Sequence, residues 1–239
     1  MRKTLIIVPT YNESENIMEL IQEIFFHVPE AEILFVDDSS PDGTADLIQS
    51  FQKKFPDQIH LEVRSKKEGL GRAYVHGFGW ALARDYNYIF EMDADLSHPA
   101  SKLPTMIELL ATYDVVIGSR YLKGVNVVNW PLMRMILSVG ASLYVRLITG
   151  LRIKDTTAGF VGYTKEALSV LDLSKITFVG YAFQIEMKFK LWKKGFSMIE
   201  TPIVFVNREK GNSKMNGSII WEAIYGVIYL KLASVFKRL

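Results

Sequence analysis

The chain has 239 residues, of which 49% are hydrophobic and 23% are charged, so it is long enough to form a complete hydrophobic core. It contains no cysteine, which excludes structural disulfides and thiolate metal sites. The formal net charge is only +2, so no overall field attracts nucleic acid, and nucleic acid is not expected as a partner.

The first half of the chain alternates short apolar runs with helical patterns. The first predicted strand covers residues 5–8, and Pro9 ends this apolar run too early for a signal peptide. Further strands are predicted at residues 32–36, 60–63, 88–91 and 114–117. The helices between them are predicted at about 14–26, 41–51, 70–84 and 101–111. This alternation predicts an α/β fold with a Rossmann-like, mostly parallel sheet covered by helices on both faces.

Polar residues follow four of these strands, at the ends where parallel sheets bind their ligands. Tyr11 and Glu13 follow the first strand, Asp37 and Asp38 follow the second, and Ser119 and Arg120 follow the fifth. Tyr11 has the ring needed to pack against a base, and a carboxylate at Asp38 has the acceptors needed for a ribose. Glu13 has an alternative role, in which it only supports the dipole of the following helix.

Asp93 and Asp95 follow the fourth strand. Residues two apart in an extended chain point the same way, and two adjacent carboxylates repel each other unless a cation lies between them. Mg²⁺ and Mn²⁺ take oxygen ligands, often one or two carboxylates together with water and substrate phosphates. The pair therefore predicts a divalent metal site that holds a diphosphate. The alternative is that both residues are turn or N-cap residues before the next helix.

Eight short motifs together resemble one family. In chain order they are VPTYNE, VDDSSPDGT, EGLGRA, MDADLSHP, GSRY, DTTAGF, QIEM and REKGNSK. The sequence from Pro9 to about Met215 resembles the dolichyl- or polyprenyl-phosphate mannosyltransferases, which are inverting nucleotide-sugar transferases with a GT-A fold. The resemblance implies transfer of mannose from GDP-mannose to a polyprenyl or dolichyl phosphate, with Mg²⁺ or Mn²⁺ as cofactor.

The resemblance also implies roles for individual residues. The GDP-mannose site would include Pro9, Tyr11, Glu13, Val36 and Asp38, and the metal and diphosphate would be held by Asp93, Ala94 and Asp95. Arg120, Arg208 and Lys214 would form the cationic side of the centre, contact the nucleotide sugar and, with Asp95, be the catalytic residues. Some relatives have a glutamine as third metal ligand where this chain has Ser97, which is therefore a weaker candidate.

A phosphate acceptor changes what the catalyst must supply. A sugar hydroxyl usually needs a positioned base, whereas a phosphate monoester has a second pKa of about 6 and is already charged near neutral pH. The enzyme is therefore predicted to bind two anionic substrates close together rather than to deprotonate a nucleophile. Arginine is suited to bind phosphate in a bidentate manner, and lysine adds a point charge.

Two segments of the second half are strongly apolar. In residues 132–149 the polar positions Arg134, Ser138, Ser142 and Arg146 recur every four residues, which favours a helix lying in a lipid interface or an amphipathic helix packed on the core. Residues 219–236 are predicted as a second interfacial helix, a buried helix, or a docking face for a membrane-anchored partner protein. No stretch of 18 residues lacks a charge, so no transmembrane helix is predicted.

These patterns give one expected organisation. Residues 1–239 form a single glycosyltransferase domain, in which residues 1–120 bind the nucleotide sugar and residues 121–239 face the acceptor and the membrane, on its cytoplasmic face. Two rival functions remain: a transferase of the same fold that uses UDP-glucose, another donor or a saccharide acceptor, and a non-catalytic nucleotide-binding protein.

Overall fold

The computed structural model describes residues 2–206 and 217–236. Strands and helices alternate along this part of the chain. The strands are β1 (Thr4–Thr10), β2 (Glu32–Asp37), β3 (Ile59–Val63), β4 (Tyr88–Glu91), β5 (Val115–Ser119), β6 (Val127–Val128), β7 (Val161–Thr164), β8 (Met198–Pro202) and β9 (Phe205–Val206). The α-helices are α1 (Ile17–His27), α2 (Thr44–Lys54), α3 (Leu70–Leu82), α4 (Leu103–Leu109), α5 (Leu132–Thr149), α6 (Lys165–Ser169), α7 (Tyr181–Lys193) and α8 (Gly217–Val235).

Seven strands form one mixed sheet in the order β3-β2-β1-β4-β7-β5-β8. Strands β1 to β4 are parallel to one another, and β8 is parallel to β5. Strand β7 lies between β4 and β5 and is antiparallel to both. The predicted mostly parallel sheet is therefore confirmed, although the antiparallel insertion was not predicted. Strands β6 and β9 pair separately.

Both faces of the sheet are covered, as predicted. In β1 the side chains alternate between two hydrophobic clusters, with Leu5 and Ile7 in one and Ile6 and Val8 in the other. The first cluster also contains residues of α3 and α7, whereas the second contains residues of α1 and α4. This double burial explains why residues 5–8 of β1 are all apolar rather than alternating with polar residues.

The predicted helix boundaries differ from the structure at two starts. Helix α1 begins at Ile17, after a turn in which the Asn16 amide donates to the Glu13 carbonyl at 2.9 Å. Helix α2 begins at Thr44 because Gly43 has a left-handed φ of 84°, which stops a helix from running through it.

The two predicted halves share this sheet. Strand β7 of the second half lies between β4 and β5 of the first half, and β8 of the second half pairs with β5. Their division into nucleotide-binding and acceptor-facing parts stays a prediction.

Helix α5 bears on the expectation that no helix spans a membrane, which stays a prediction. It is 18 residues long with a mean hydropathy of 1.4, so by length and composition it is a candidate membrane-spanning helix in the part of the chain that is described. Only 17% of it is buried. Its two arginines interrupt the apolar sequence but still leave a high mean hydropathy.

Candidate active site

The ends of β1 and β2 bring the predicted nucleotide-binding residues together. In the parallel pairing of these strands, Pro9 lies opposite Val36 and Thr10 lies opposite Asp37. The Asp38 amide donates to the Thr10 carbonyl at 3.1 Å, so the pairing continues one residue beyond the strands. Tyr11 and Asp38 therefore start adjacent loops at one edge of the sheet.

Side chains of the β2–α2 loop hold the β1–α1 loop in place. The Asp37 carboxylate is fully buried and accepts hydrogen bonds from the Thr10 hydroxyl at 2.8 Å and the Ser40 hydroxyl at 2.6 Å. The Ser40 hydroxyl in turn accepts from the Asn12 amide at 3.0 Å. The Thr44 hydroxyl accepts from the Glu13 amide at 3.0 Å. Asp37 is thus a structural residue, which explains one of the two adjacent aspartates.

Asp38 is held by a residue that the sequence analysis did not single out. Arg64 donates from Nε to Oδ1 at 2.7 Å and from Nη2 to Oδ2 at 3.1 Å, and both side chains are nearly buried. This bidentate pair fixes the orientation of the carboxylate at the strand end. Contact between Asp38 and a ribose stays a prediction.

Tyr11 has a cation against its ring. The Nζ of Lys67 lies 3.8 Å from the ring centroid, within the range of a cation–π interaction. Lys67 belongs to the loop before α3, so this loop reaches the predicted base-binding side of the site.

Three side chains orient the loop that carries Asp93 and Asp95. The Tyr74 hydroxyl donates to Asp93 Oδ1 at 3.1 Å, and the Asp93 amide donates to His98 Nδ1 at 3.0 Å. The Ser97 hydroxyl donates to Asp95 Oδ1 at 2.6 Å. The turn includes Leu96 with a φ of 62°, an uncommon conformation for a leucine. Such a constrained turn is typical of a functional loop.

This loop fits a divalent cation that also binds substrate oxygens. Asp93 and Asp95 are both only partly buried, whereas Ala94 between them is packed in the core and anchors the turn. Among the described residues, no group of three or more His, Cys, Asp or Glu side chains surrounds a common point. Two carboxylates with the remaining positions left for water and phosphate are what Mg²⁺ and Mn²⁺ sites in phosphate-handling enzymes use. Ser97 hydrogen bonds to Asp95, and its proposed role as a ligand stays a prediction.

A buried polar network lies beneath the acidic loop. Glu91, two residues before Asp93, accepts from the Tyr163 hydroxyl at 2.9 Å and from the Gln184 amide group. Lys188 donates to the Ala158 carbonyl at 2.7 Å and to Gln184 Oε1 at 3.1 Å. Burial raises the pKa of Glu91 to about 7 and lowers the pKa of Lys188 to about 8, while the attraction between the two groups opposes both shifts. The network links β4, β7 and α7 to the segment that carries Asp155.

Arg120 is engaged in a buried ion pair with Asp155. Its Nε donates to Asp155 Oδ2 at 2.7 Å and its Nη2 donates to Oδ1 at 2.6 Å. Nη2 also donates to the Thr157 hydroxyl at 2.9 Å. Burial opposes the charge, but the attraction and hydrogen bonds of Asp155 outweigh it and hold the pKa of Arg120 above its ordinary value. A cation compensated in this way supplies less charge to a substrate than the sequence analysis assumed, so its catalytic role stays a prediction.

The aspartate partner is itself fixed. The Asp155 and Lys154 amides donate to the carboxylate of Glu200 in β8 at 2.9 and 2.8 Å. Arg120 also faces the rings of Tyr121, Trp130 and Phe205, with centroid distances between 5.2 and 5.7 Å. The DTTAGF segment therefore positions the loop after β5. Arg208 and Lys214, the other predicted cations, lie outside the described residues.

Comparison with known proteins assigns the chain to a family. Residues 5–171 match the family model described as glycosyl transferase family 2. The chain belongs to glycosyl transferase family 2. The predicted GT-A-type fold and the prediction of a hexosyltransferase are confirmed by this match together with the relatives below.

Two curated relatives of this transferase align along nearly its whole length. Polyprenol monophosphomannose synthase of Mycolicibacterium smegmatis is 44% identical over 95% of this chain and 86% of that protein. Undecaprenyl-phosphate mannosyltransferase of Micrococcus luteus is 43% identical over 99% of this chain and 97% of that protein. The resemblance to this branch of the family is therefore confirmed.

A solved structure shares the fold of the transferase. The mannosyltransferase of Pyrobaculum calidifontis in complex with GDP-Man and Mn²⁺ is similar with a TM-score of 0.61 and 19% identity. The match covers 100% of this chain and 72% of that one. At this identity, the likeness is evidence for the fold alone.

The contact between Tyr74 and Asp93 leads to a first prediction. We expect Tyr74→Phe to lower kcat about tenfold, because a hydrogen bond to a charged group is worth about 1.5–3 kcal/mol and it orients a candidate metal ligand. The fold should persist because the ring is retained. Steady-state transfer assays with purified protein measure this effect, and Tyr113→Phe, outside the site, is the control. Equal kcat in the two variants would contradict a role for Tyr74.

Proposed function

We propose that the transferase moves mannose from GDP-mannose to a polyprenyl phosphate, with inversion at the anomeric carbon, at the surface of a membrane. The observation that carries this proposal is the 43–44% identity, over nearly the whole chain, to two enzymes named for polyprenyl-phosphate mannose synthesis. The polar rim at the ends of β1, β2 and β4 supports it, because it offers two acidic residues for a metal and the side chains of Tyr11 and Asp38 for a nucleotide.

The donor is proposed to bind across the ends of β1, β2 and β4. Tyr11 and Asp38 lie on the nucleotide side, and Asp93 and Asp95 lie on the diphosphate side. The two aspartates would hold Mg²⁺ or Mn²⁺, which would supply Lewis-acid stabilisation of the diphosphate as its charge develops. Tyr74 and Ser97 keep the two carboxylates in their orientations.

The acceptor needs no general base in this proposal. Its phosphate oxygen forms a bond to the anomeric carbon while the bond from that carbon to the donor diphosphate breaks. GDP leaves, the configuration inverts, and no proton has to be removed from the nucleophile. Arg208 and Lys214 are proposed to neutralise the acceptor phosphate, while Arg120, held by Asp155, positions the loop after β5.

An exposed apolar surface supports a membrane location. Its side chains, which we call the apolar platform, are large hydrophobic residues at least 38% exposed: Leu132, Met133, Ile136, Leu137, Val139, Leu143 and Leu147 of α5, with Tyr225, Ile228, Tyr229, Leu232 and Val235 of α8 and the adjacent Phe236. The two helices are in contact, and Tyr144 of α5 donates to the Ile224 carbonyl at 3.0 Å. A group of this many exposed hydrophobic side chains is unusual on a surface that faces water and is typical of a membrane or protein contact.

We propose that α5 lies in the lipid interface rather than crossing the bilayer. Its Ser142, Val145 and Thr149 are buried on one side, and Val145 belongs to the main hydrophobic cluster. A helix that packs lengthwise on the protein body has only its outer face available to lipid, which suits an interfacial helix. Attachment at the cytoplasmic face, and a membrane-anchored partner on the platform, stay predictions.

Charges placed on the platform should weaken membrane binding. We expect Leu137→Glu/Leu147→Glu to lower the partition coefficient onto vesicles with anionic lipid at least tenfold, because two half- to three-quarter-exposed leucines are replaced by anions. Vesicle sedimentation measures the partition. Phe26→Glu is the matched control, since Phe26 is 77% exposed on α1 outside the platform. Equal loss in the control would contradict the assignment of the platform.

A transfer assay tests the function itself. Protein, Mg²⁺ or Mn²⁺, polyprenyl phosphate and labelled GDP-mannose are incubated, and label is measured in the organic phase. Parallel reactions with labelled UDP-glucose test the donor, and reactions with a free saccharide test the acceptor. We expect label in the lipid fraction only with GDP-mannose and polyprenyl phosphate. Transfer from UDP-glucose but not from GDP-mannose would show that UDP-glucose is the donor. No transfer with any pair would contradict the proposal.

A further inference from the structure

Four successive backbone amides in the segment before α7 donate to two glutamates. The amides of Thr177 and Phe178 donate to Glu186 Oε2 at 2.9 and 3.0 Å. The amides of Val179 and Gly180 donate to Glu222 Oε1 at 2.9 and 3.4 Å. Glu186 is local, because it lies in α7 and pairs with Lys190 one turn later. Glu222 comes from α8, so its hydrogen bonds join α8 to the segment before α7.

Two further residues of α8 contact the same segment. Gly226 packs so closely that an added Cβ would lie 2.9 Å from the ring of Phe178. The ring of Tyr229 meets that of Phe178 edge to face at 6.2 Å. Glu222, Gly226 and Tyr229 have the i, i+4, i+7 spacing of one helix face. Because Glu222 provides charged hydrogen bonds on this face, it favours one register of α8 over a slipped one.

The segment also supports the start of α3. The Gly71 amide donates to the Val179 carbonyl at 2.9 Å, and Arg72 Nη1 donates to the Ile176 carbonyl at 3.1 Å. A Cβ at Gly71 would lie 2.9 Å from the Phe178 carbonyl oxygen, which explains the glycine. Helix α3 carries Tyr74, the hydrogen-bond donor to Asp93. The segment at 176–180 is thus packed between α8, which carries part of the apolar platform, and α3, which lies beneath the acidic loop.

We propose that Glu222 is a positioning residue that fixes the register of α8 on the core, and that use of the acceptor by the basic segment, residues 208–214, depends on this register. Arg208 and Lys214 precede Glu222 by 14 and 8 residues in the sequence, so only a short length of chain separates them from it. This inference rests on the proposed function, in which these two cations neutralise the acceptor phosphate. Glu222 itself contacts neither substrate.

The kinetic test separates acceptor use from donor use. We expect Glu222→Ala to lower kcat/KM for polyprenyl phosphate about tenfold or more while KM for GDP-mannose changes less than about twofold, since a loss of 1.4 kcal/mol is tenfold. Glu222→Gln keeps an acceptor atom and should give a smaller loss. Glu108→Ala, an exposed glutamate on α4, is the matched control. A Glu222→Ala variant with the acceptor kinetics of this control, or with donor KM raised as much as acceptor KM, would overturn the proposal.

A double-variant cycle tests whether Glu222 acts through the basic segment. On a Lys214→Ala background, Glu222→Ala should cause at most about twofold further loss in acceptor kcat/KM, because the positioned group is already absent. Independent losses that multiply would overturn the positioning role.

Hydrogen exchange keeps the inference separable from the proposed function. Amides 179 and 180 should lose protection in Glu222→Ala and keep it in Glu108→Ala, a measurement that needs no substrate. If the wild-type protein transfers no mannose, the proposed function fails, and loss of protection would still support the contact between α8 and the segment. Unchanged protection would overturn that contact whatever the assay shows.

Discussion

We expect Asp95→Asn to lower mannosyl transfer at least about a hundredfold and leave the fold intact. The substitution removes one of the two negative charges proposed to hold the cation at the donor diphosphate, and loss of a single preorganised electrostatic contact costs enzymes about 10²–10³ in rate. The local turn should survive, because the asparagine carbonyl can still accept the Ser97 hydrogen bonds.

The measurement is the initial rate of transfer over a Mn²⁺ titration, combined with the thermal melting curve. Asp57→Asn is the control, since Asp57 is exposed in the loop before β3. Wild-type rates for Asp95→Asn at saturating Mn²⁺, or full wild-type turnover in EDTA, would contradict the assignment of the acidic loop.

We expect Asp155→Asn to destabilise the protein by about 3–5 kcal/mol, because it leaves the Arg120 guanidinium buried without its counter-charge. The loss should be much smaller in Arg120→Met/Asp155→Asn, in which neither charge is present. Urea unfolding of the wild type, both single variants and the double variant gives the coupling energy directly.

The same four proteins separate stability from activity. If Arg120 positions the loop after β5, the double variant should recover stability without recovering transfer. A loss of less than about 1 kcal/mol in the free energy of unfolding for Asp155→Asn would contradict a structural role of the ion pair. Full activity in the double variant would show that transfer does not depend on Arg120.

The acidic loop can be identified from the sequence because the residues that indicate it are adjacent in the chain. Asp93 and Asp95 stand directly after an apolar run, and the edge at which parallel strands end is known without coordinates. Residues whose partners are distant in the chain could not be found in this way. Tyr74 lies 19 residues before Asp93, and Arg64 lies 26 residues after Asp38.

Arg120 shows the limit of reading charge from the sequence alone. GSRY presents an arginine at a strand end, but nothing nearby in the chain reveals that Asp155, 35 residues later, compensates it. Strand β7 was missed for a related reason. It is four residues long and fully buried, and its antiparallel place between β4 and β5 is decided by tertiary pairing rather than by periodicity.

The exposure of α5 was likewise undecidable from its pattern. A stripe of polar residues every four positions fits either an interfacial helix or one packed on the core, and only the structure shows that the apolar side chains face outward while Ser142 is buried. The polar stripe is therefore partly the face that packs on the protein.

The most direct test of the central claim is the affinity for GDP with and without Mn²⁺, measured by calorimetry on wild-type protein and on Asp93→Asn/Asp95→Asn. If the two carboxylates hold a cation that binds the diphosphate, Mn²⁺ should tighten GDP binding at least tenfold in the wild type and have little effect in the variant. Equal GDP affinity in Mn²⁺ and in EDTA, or the same Mn²⁺ enhancement in the variant, would contradict it.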